Sequence, residues 1–353
     1  MRAITVAPGE AGSVGLEERP DPEPAAGELL VQAVALGVCG TDLEIVEGAY
    51  GWAPEGEARL VLGHESLGRV RRAPPGSGFA PGELVVGVVR RPDPVPCPAC
   101  AGGEWDMCLN GLYTERGIKQ RHGYGSELWT LDPRFAVRVD AALGPLGVLL
   151  EPASIVAKGW EHIGLIGART RTWSPRRALV TGAGPVGLLA AMVGRQQGLE
   201  VHVLDRVQDG PKPELVRDLG AAYHFGDVSV IGRIAPDIVF ECTGAEPVIL
   251  EAVRHTARDG IVCLAGVSAC GRATSFDLGG FNRRTVLGNN VVFGTVNANR
   301  SHYEAAARAL AAADRDWLAR MITRRVPLSR WREAFERRPG DVKVVIDFDG
   351  DVG

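Results

Sequence analysis

Four side chains that can bind a metal stand in three short segments, which read CGTD from residue 39, GHE from residue 63 and LEP from residue 150. Each segment places its metal-binding side chain at the end of a predicted strand or the start of a helix. The thiolate of Cys39, the imidazole of His64 and one or both carboxylates of Glu65 and Glu151 suit a tetrahedral zinc ion with an exchangeable position, which is typical of a catalytic site. Taken singly, Cys39 suits a core position and the His64-Glu65 pair suits the surface. Their joint occurrence favours a metal that polarises a hydroxyl group.

A glycine-rich turn at residues 182–187 predicts a second chemistry, the binding of a dinucleotide. The letters GAGPVG stand between a strand-like run and a helical pattern, and the next strand ends at Asp205. Gly182 makes the tight turn, Gly184 leaves room for a pyrophosphate, and Gly187 lets the helix pack close to the strand. The helix N-terminus presents free N–H groups and a positive dipole end to the phosphates, and Asp205 can accept hydrogen bonds from the adenosine ribose. The alternative is a fold of this kind that has lost its ligand.

Length, composition and charge limit the classes of protein to which this chain can belong. A chain of 353 residues suits two domains, and 45% hydrophobic with 23% charged residues is ordinary for a globular protein. The net charge of −4 gives no basic face for nucleic acid. The N-terminus lacks a signal-peptide core and no apolar run approaches the roughly 18 residues of a membrane span, so we expect a cytoplasmic protein with no nucleic-acid or membrane partner.

Seven cysteines in such a protein are more often ligands, core residues or free thiols than disulfides. Three of them lie on or just after predicted sheet strands, and we expect these to be buried packing residues: Cys242, Cys263 and Cys270.

The elements that must position the candidate residues follow two patterns. Before residue 90, short strands rich in valine and leucine at 29–38, 61–71 and 83–89 alternate with glycine and proline, which predicts a small closed β structure. A helix is predicted at 145–164. From residue 178, strands alternate with helical segments, as a doubly wound parallel sheet requires. The six strands are predicted at 178–180, 201–204, 221–225, 237–242, 260–267 and 290–296.

The end of the chain follows the sixth of these strands. A helix is predicted at 301–313 with Ser301 as its cap, another at 328–337, and a last strand at 342–348. We expect this segment to return to the first domain, and its last strand is a candidate for an intersubunit surface.

The segments GVCGTD, GHESLGRV, EPAS and TGAGPVG, with a cysteine loop between the second and third, resemble in this order the zinc-containing medium-chain dehydrogenases. More narrowly, MCLNGLYTERGI from residue 107, HGYGSE from 122 and VFGTVNA from 292 are similar to the glucose 1-dehydrogenase branch found in archaea and some bacteria. The resemblance covers essentially the whole chain. It implies an α/β protein with a GroES-like β-rich catalytic zinc domain at 1–173 and 298–353, and a Rossmann domain with a doubly wound parallel six-stranded sheet at 174–297.

The resemblance also implies roles around the catalytic zinc. Cys39, His64 and Glu151 match the ligands, and Glu65 matches a carboxylate that can enter or leave the coordination shell. Asp42 would hold His64 through its other ring nitrogen and fix its tautomer.

Three further residues match positions that handle the substrate. Thr41 matches the hydroxyl that receives the substrate proton, and Glu115 and Asn297 match positions that hold sugar hydroxyls. The implied reaction is zinc-assisted oxidation: the metal lowers the pKa of the bound sugar hydroxyl, Thr41 relays the proton, and C1 gives hydride to the nicotinamide to form the lactone.

The cysteine loop departs from the superfamily pattern. Cys97, Cys100 and Cys108 match the last three of four cysteines in a structural zinc lobe, but the position expected for the first is Pro94. Three thiolates can hold zinc if another donor completes the tetrahedron, the candidates being Asp93, Asp106 and Glu104. The alternative is a lobe that has lost its metal and keeps reduced thiols.

Asp205 at the end of the second strand would repel a 2'-phosphate, so we expect NAD to be preferred, with NADP possible because Arg206 could soften that preference. Thr243-Gly244 and Gly266-Val267 follow the fourth and fifth strands, where the nicotinamide half should lie. The cofactor-binding candidates are Gly182, Gly184, Pro185, Val186, Gly187, Asp205, Arg206, Thr243, Gly266, Val267 and Asn297.

Two other functions stay open at this stage. One is the same chemistry on a polyol, an amino sugar or an alcohol of secondary metabolism. The other is a non-catalytic nucleotide-binding protein with this fold. In either case the partners expected are a small-molecule sugar or alcohol and, by analogy with relatives, further copies of the chain in a homodimer or homotetramer.

Overall fold

The computed structural model describes residues 1–268 and 275–348, so the expectation for Cys270 lies outside the described residues. Two units are distinguished, Met1–Ser154 with Asn297–Gly353, and Ile155–Val296. The division falls inside one helix, which begins in the first unit and continues in the second. Within the described ranges no helix combines the length and the apolar character needed to cross a membrane.

The N-terminal part of the first unit consists mainly of short strands. They are β1 (Arg2–Val6), β2 (Gly15–Glu18), β3 (Leu29–Val38), β4 (Leu60–Val61), β5 (Glu65–Arg72), β6 (Leu84–Gly87), β7 (Arg90–Arg91), β8 (Thr114–Arg116), β9 (Gln120–Arg121), β10 (Leu128–Leu131) and β11 (Ala136–Arg138). The helices are α1 (Gly40–Val46), α2 (Pro98–Ala101) and the start of α3 (Leu150–Gly167), with 3-10 turns at Trp105–Met107, Pro133–Phe135 and Gly144–Leu149.

The second unit alternates strands and helices after α3. Its strands are β12 (Arg177–Thr181), β13 (Glu200–Asp205), β14 (Ala222–Phe225), β15 (Ile238–Glu241), β16 (Ile261–Leu264) and β17 (Val291–Gly294). Its helices are α4 (Pro185–Gln196), α5 (Pro211–Asp218), α6 (Val230–Ile234), α7 (Glu246–His255) and α8 (Leu278–Gly288).

All six strands are parallel, in the order β14-β13-β12-β15-β16-β17. This order reverses direction at the first strand, β12, as in a doubly wound Rossmann sheet, and it confirms the predicted fold of this part. Central strands of such a sheet are covered on both faces, which explains the continuous apolar runs of β12 and β15. Leu179, Ile231 and Val239 lie in the core cluster and are fully buried.

The C-terminal segment belongs to the first unit, as predicted. It contains α9 (Arg300–Ala311), α10 (Arg315–Met321), β18 (Ile322–Pro327), a 3-10 segment at Leu328–Phe335 and β19 (Lys343–Asp347). The prediction that Ser301 caps the first helix is wrong. Asn299 is the cap: its side chain accepts hydrogen bonds from the N–H groups of Ser301 and His302, while the Ser301 hydroxyl donates to Asn299. Asparagine is among the strongest N-cap residues and here has the extended backbone that the position needs.

The main sheet of the first unit has the strand order β11-β6-β5-β3-β19-β18, with β10 also paired to β3. β19 pairs antiparallel with β3 on one side and parallel with β18 on the other. This last strand, the candidate for an intersubunit surface, therefore has both edges paired within its own unit, and Val345 and Ile346 are fully buried.

The register of this sheet brings three distant segments together. Gly37 of β3 lies opposite Glu65 of β5, and Val38 lies opposite Val344 of β19. The end of β3, the start of β5 and the start of β19 therefore meet at one end of the sheet, where Cys39 follows β3.

Candidate active site

Cys39 is the N-cap of α1, and the CGTD segment explains why. The thiol accepts a hydrogen bond from the N–H of Thr41, with Sγ and N 3.3 Å apart, and the Asp42 carboxylate accepts one from the N–H of Cys39 at 3.0 Å. This reciprocal pair is a capping box. It fixes the Cys39 side chain at the N-terminus of the helix.

His64 lies just before β5 and is 5% exposed. Its Nε2 is 3.2 Å from Sγ of Cys39, and its Nδ1 is 3.3 Å from Oδ1 of Asp42. The second contact is close but not aligned as a hydrogen bond. Burial alone would lower the pKa of His64, but the negative charges of Asp42 and Cys39 raise it well above the usual value. The imidazole thus stands between the thiol and the carboxylate, an arrangement that suits a metal ligand with a partner behind it.

Glu65 is 2% exposed and is held by Lys343, whose Nζ lies 2.7 and 2.5 Å from the two carboxylate oxygens. The same ammonium donates to the carbonyl of Val38 at 3.1 Å. Burial alone would lower the pKa of Lys343, but the charges of Glu65 and Cys39 raise it. Gly37 makes the room for this pair, because a Cβ at Gly37 would lie 2.0 Å from Oε2 of Glu65.

Glu151 lies in the first turn of α3 and is 7% exposed. Its pKa is raised to about 7, with burial as the largest cause; the positive charge of His64 opposes this shift and the negative charge of Glu65 adds to it. The carboxylate is therefore within electrostatic range of two other candidate ligands, His64 and Glu65.

The donor atoms fit a zinc ion. One atom each from Cys39, His64 and Glu65 lie within 4.8 Å of one another, and Glu151 stands outside this closest set within the described chain. Cys39 Sγ and His64 Nε2 are 3.2 Å apart, near the roughly 3.6 Å expected between a sulfur and a nitrogen ligand of tetrahedral zinc. A half-buried thiol with a buried imidazole and a buried carboxylate in this arrangement is a chemically suitable set for that ion.

The residues predicted to handle the substrate lie in the same unit. Thr41 is in the first turn of α1, and its hydroxyl has no hydrogen-bond partner among the residues that the structure describes. Glu115 in β8 is 6% exposed, and its Oε1 accepts a hydrogen bond from Nδ2 of Asn297 at 2.5 Å. The structure thus joins two residues that are 182 positions apart in the chain.

The cysteine lobe brings its three thiols together. Cys97, Cys100 and Cys108 have Sγ atoms within 4.8 Å of one another. The backbone N–H groups of Cys100 and Leu109 donate to the Cys97 sulfur and lower the pKa of that thiol, whereas burial raises the pKa of Cys100. This is a suitable three-thiolate set for zinc.

The three candidate fourth donors in the described lobe lie outside this set. The Asp93 carboxylate accepts hydrogen bonds from the N–H of Val95 at 2.8 Å and from the side chain of Asn110 at 2.7 Å. Asp106 lies 3.8 Å from Nδ1 of His302, and Glu104 is exposed. The structure therefore assigns none of them as the donor that replaces the cysteine expected at position 94.

The glycine-rich loop has the geometry predicted for each of its three glycines. Gly182 has φ +87°, which a side chain would strain. A Cβ at Gly184 would meet nothing within 4 Å, so the space in front of the loop is open, whereas a Cβ at Gly187 would lie 1.8 Å from the carbonyl oxygen of Gly182. Pro185 then occupies the first position of α4, and its missing N–H costs nothing there.

Asp205 closes the loop from the next strand. Its Oδ2 accepts a hydrogen bond from the N–H of Ala183 at 2.5 Å, and its Oδ1 accepts one from Val207 at 3.1 Å. Arg206 is exposed. The carboxylate thus shapes the glycine loop as well as marking the position where a ribose is expected.

The predicted nicotinamide-side loops pack against each other. A Cβ at Gly266 would lie 2.2 Å from the backbone nitrogen of Gly244, and a Cβ at Gly244 would lie 2.4 Å from the carbonyl oxygen of Val267. Glu241, which is fully buried, accepts hydrogen bonds from the backbone and hydroxyl of Thr243 and from the N–H of Gly244.

Sequence reasoning missed three of these charged residues: Lys343, Arg90 and Glu241. Lys343 is one of only four lysines in a chain whose other basic residues are arginines, which was the available signal. Arg90 donates to Oε1 of Glu115 through Nε and Nη2, and the Arg90-Arg91 doublet inside an apolar stretch was its signal. Glu241 ends an apolar strand with no such mark.

Taken together, a glycine-rich Rossmann loop in one unit and a cluster of thiol, imidazole and carboxylate in a β-rich unit define the class of zinc-containing medium-chain dehydrogenases. The comparisons with known proteins agree. Residues 25–141 match the alcohol dehydrogenase GroES-like domain, and residues 144–348 match the glucose dehydrogenase C-terminus.

Similar proteins narrow the family. Glucose 1-dehydrogenase of Methanocella arvoryzae is 41% identical over 98% of this chain and 99% of its own length, and that of Thermoproteus tenax is 40% identical with the same coverage. The structure of Haloferax mediterranei glucose dehydrogenase in complex with NADP, Zn and gluconolactone has a TM-score of 0.91 and 34% identity, with 99% of both chains covered. This chain belongs to the glucose 1-dehydrogenase family.

Proposed function

We propose that this protein oxidises C1 of an aldose of the glucose type with NAD(P) and zinc, giving the aldonolactone. The observation that carries this proposal is the close cluster of Cys39, His64 and Glu65, in a chain that matches glucose 1-dehydrogenases along nearly its full length. The relative whose solved structure holds NADP, Zn and gluconolactone supports the same substrate class.

Cys39, His64 and Glu151 would hold the catalytic zinc, with Glu65 able to join them. When bound, the zinc supplies a Lewis acid that polarises the sugar hydroxyl and lowers its pKa. Asp42, 3.3 Å from Nδ1 of His64, would hold a proton on that nitrogen and so leave the lone pair of Nε2 for the metal. Lys343 balances the charge of Glu65 while that carboxylate is not a ligand.

Thr41 accepts the proton of the sugar hydroxyl and passes it on, which its unpartnered hydroxyl allows in the described structure. Glu115, supported by Asn297, accepts a hydrogen bond from another hydroxyl of the sugar. An aldose that lacks this hydroxyl would leave one oxygen of the buried Glu115 carboxylate without a partner, at a cost of about 1 to 3 kcal/mol. A nicotinamide bound there would supply the acceptor for the hydride of C1.

The Rossmann unit would bind the cofactor at the loop from Gly182 to Gly187, with Thr243, Gly266 and Val267 on the nicotinamide side. We propose that NAD is preferred and NADP accepted. The charge of Asp205 disfavours a 2'-phosphate, but both of its oxygens already accept backbone hydrogen bonds and the exposed Arg206 is free to pair with a phosphate. We further propose that the protein acts in the cytoplasm as a homodimer or homotetramer, and that the three thiols of the cysteine lobe hold a structural zinc.

The test is a screen of NAD and NADP reduction across aldoses, polyols and amino sugars, with zinc measured on the same sample. We expect glucose or a related aldose to be oxidised, and the activity to be lost on chelation and restored by zinc. Turnover of a polyol while glucose, galactose and xylose are all inert would contradict the substrate, and activity that survives complete removal of zinc would contradict the mechanism.

A further inference from the structure

A doublet of buried arginines lies beside the proposed sugar-binding carboxylate. Arg90 and Arg91 form the two-residue strand β7 and are 5% and 6% exposed. Successive side chains of a strand point to opposite faces, and these two have different partners. Arg90 faces Glu115, its register partner in β8, whereas Arg91 lies over the ring of Phe135 and donates to Tyr124.

The hydrogen bonds to the Glu115 carboxylate are all on one oxygen. Oε1 accepts from Nε and Nη2 of Arg90 at 3.1 and 3.0 Å and from Nδ2 of Asn297 at 2.5 Å. Oε2 has no partner within the described residues, and it is not among their fully buried unpartnered atoms, so it remains accessible. An arginine that only neutralises a carboxylate commonly pairs with both oxygens, one N–H to each. Here three N–H groups donate to Oε1, and Oε2 accepts no hydrogen bond from the described residues.

Arg90 is itself held from two further directions. Its Nη1 donates to the carbonyl of Asp106 at 3.0 Å, and the guanidinium carbon lies 3.6 Å from the centre of the Tyr113 ring. A planar guanidinium held in this way has one orientation, which a flexible lysine ammonium cannot reproduce. Asn297 completes the arrangement in a left-handed backbone conformation, φ +60°, a strained geometry of the kind that clusters at functional sites.

We propose that Arg90 is a positioning residue for sugar recognition: with Asn297 it fixes Oε1 of Glu115, so that Oε2 is presented to one hydroxyl of the aldose. This role deepens the proposed function and rests on it. Glu115 touches the substrate, and Arg90 acts through Glu115. The consequence is selectivity for the sugar that carries the hydroxyl, because only that sugar satisfies an oriented, charged acceptor.

The experiment compares glucose with 2-deoxy-, 3-deoxy- and 6-deoxyglucose on four enzymes: wild type, Glu115→Gln, Arg90→Lys and Arg91→Lys. Arg91→Lys is the matched control, since it makes the same change at the same burial on the same strand without touching Glu115. Thermal unfolding, zinc content and the Kd for NAD are measured for each enzyme.

We expect wild type to disfavour one deoxy sugar by about 10- to 100-fold in kcat/KM. Glu115→Gln and Arg90→Lys should reduce that factor for the same sugar to about threefold or less, with most of the change in the KM for glucose and the Kd for NAD unchanged. Arg91→Lys should retain the wild-type factor even if it unfolds at a lower temperature. Should Arg90→Lys fail to fold, Tyr113→Leu keeps the arginine but removes the ring that orients it, and it should also weaken the discrimination.

The positioning role would be overturned if Arg90→Lys lost activity equally on all four sugars, or if Arg91→Lys weakened the discrimination as much as Arg90→Lys does. Either result would leave the proposed function intact. A wild-type enzyme that oxidises no aldose would overturn both. Discrimination that is lost in Arg90→Lys and kept in Arg91→Lys supports the role.

Discussion

Replacing Lys343 by methionine should destabilise the protein strongly, because Glu65 would then be a buried carboxylate without a counter-charge. Lys343 and Glu65 form an ion pair in which both side chains are at most 3% exposed. Methionine keeps most of the side-chain volume but leaves the Glu65 carboxylate without its counter-charge and the Val38 carbonyl without its donor.

Removing one partner of a buried pair costs about 3 to 5 kcal/mol. At about 2 to 4 °C per kcal/mol for a unit of this size, the Tm should fall by about 6 to 20 °C. The loss should be larger in zinc-free than in zinc-loaded protein, because a cation beside Glu65 takes over part of the missing charge. Because binding and stability are linked, a larger loss without zinc means that the folded variant should bind zinc more tightly than folded wild type does.

Calorimetric unfolding with and without zinc measures this effect, and the controls are Lys343→Arg and the double variant Lys343→Met/Glu65→Gln. The arginine variant keeps the charge, and the double variant removes both members of the pair, so each should recover part of the lost stability. A single variant that loses less than about 1 kcal/mol, well below the cost of an unpaired buried charge, would refute the reasoning. A double variant no more stable than the single one would also refute it.

Four further substitutions test residues around the two sites. Gly37→Ala should lower both Tm and zinc content, because the new methyl group would occupy the place of the Glu65 carboxylate; unchanged zinc content would contradict this. In the cofactor loop, Gly184→Val should fold normally but weaken NAD binding by at least about tenfold, since its side chain enters the open phosphate space. Gly187→Ala should instead lower the Tm, because its methyl group would clash with the carbonyl oxygen of Gly182. If the two variants had equal effects on NAD affinity and on Tm, the separate roles of Gly184 in phosphate binding and of Gly187 in helix packing would be contradicted. Asp205→Ser should raise the ratio of kcat/KM for NADP to kcat/KM for NAD by about tenfold or more, because it removes a charge that repels the 2'-phosphate. Steady-state kinetics with both cofactors measure this ratio, and an unchanged ratio would contradict the prediction.

The parts of the fold that can be predicted from the sequence are those that depend on short-range residue patterns. Alternating strand and helix composition after residue 178, with a glycine turn that tolerates few other geometries, was enough to predict six parallel strands and the cofactor loop. The segment CGTD carries its own capping box, so the local placement of Cys39 follows from four residues. The cap of α9 was missed although Asn299 is two residues from Ser301, because two neighbouring residue types can both serve as caps and only the backbone decides between them.

Long-range register decided the rest. Lys343 reaches Glu65 because β19 is inserted between β3 and β18, and nothing near residue 343 indicates which strand it will join. The same holds for Arg90 and Asn297, which meet at Glu115 from positions 207 apart in the chain, the difference between 297 and 90. Side-chain types and local spacing set out which chemistry this chain can perform; the pairing of distant strands, which depends on the packing of the whole unit, decided which charges face one another and which oxygen is left free for a ligand.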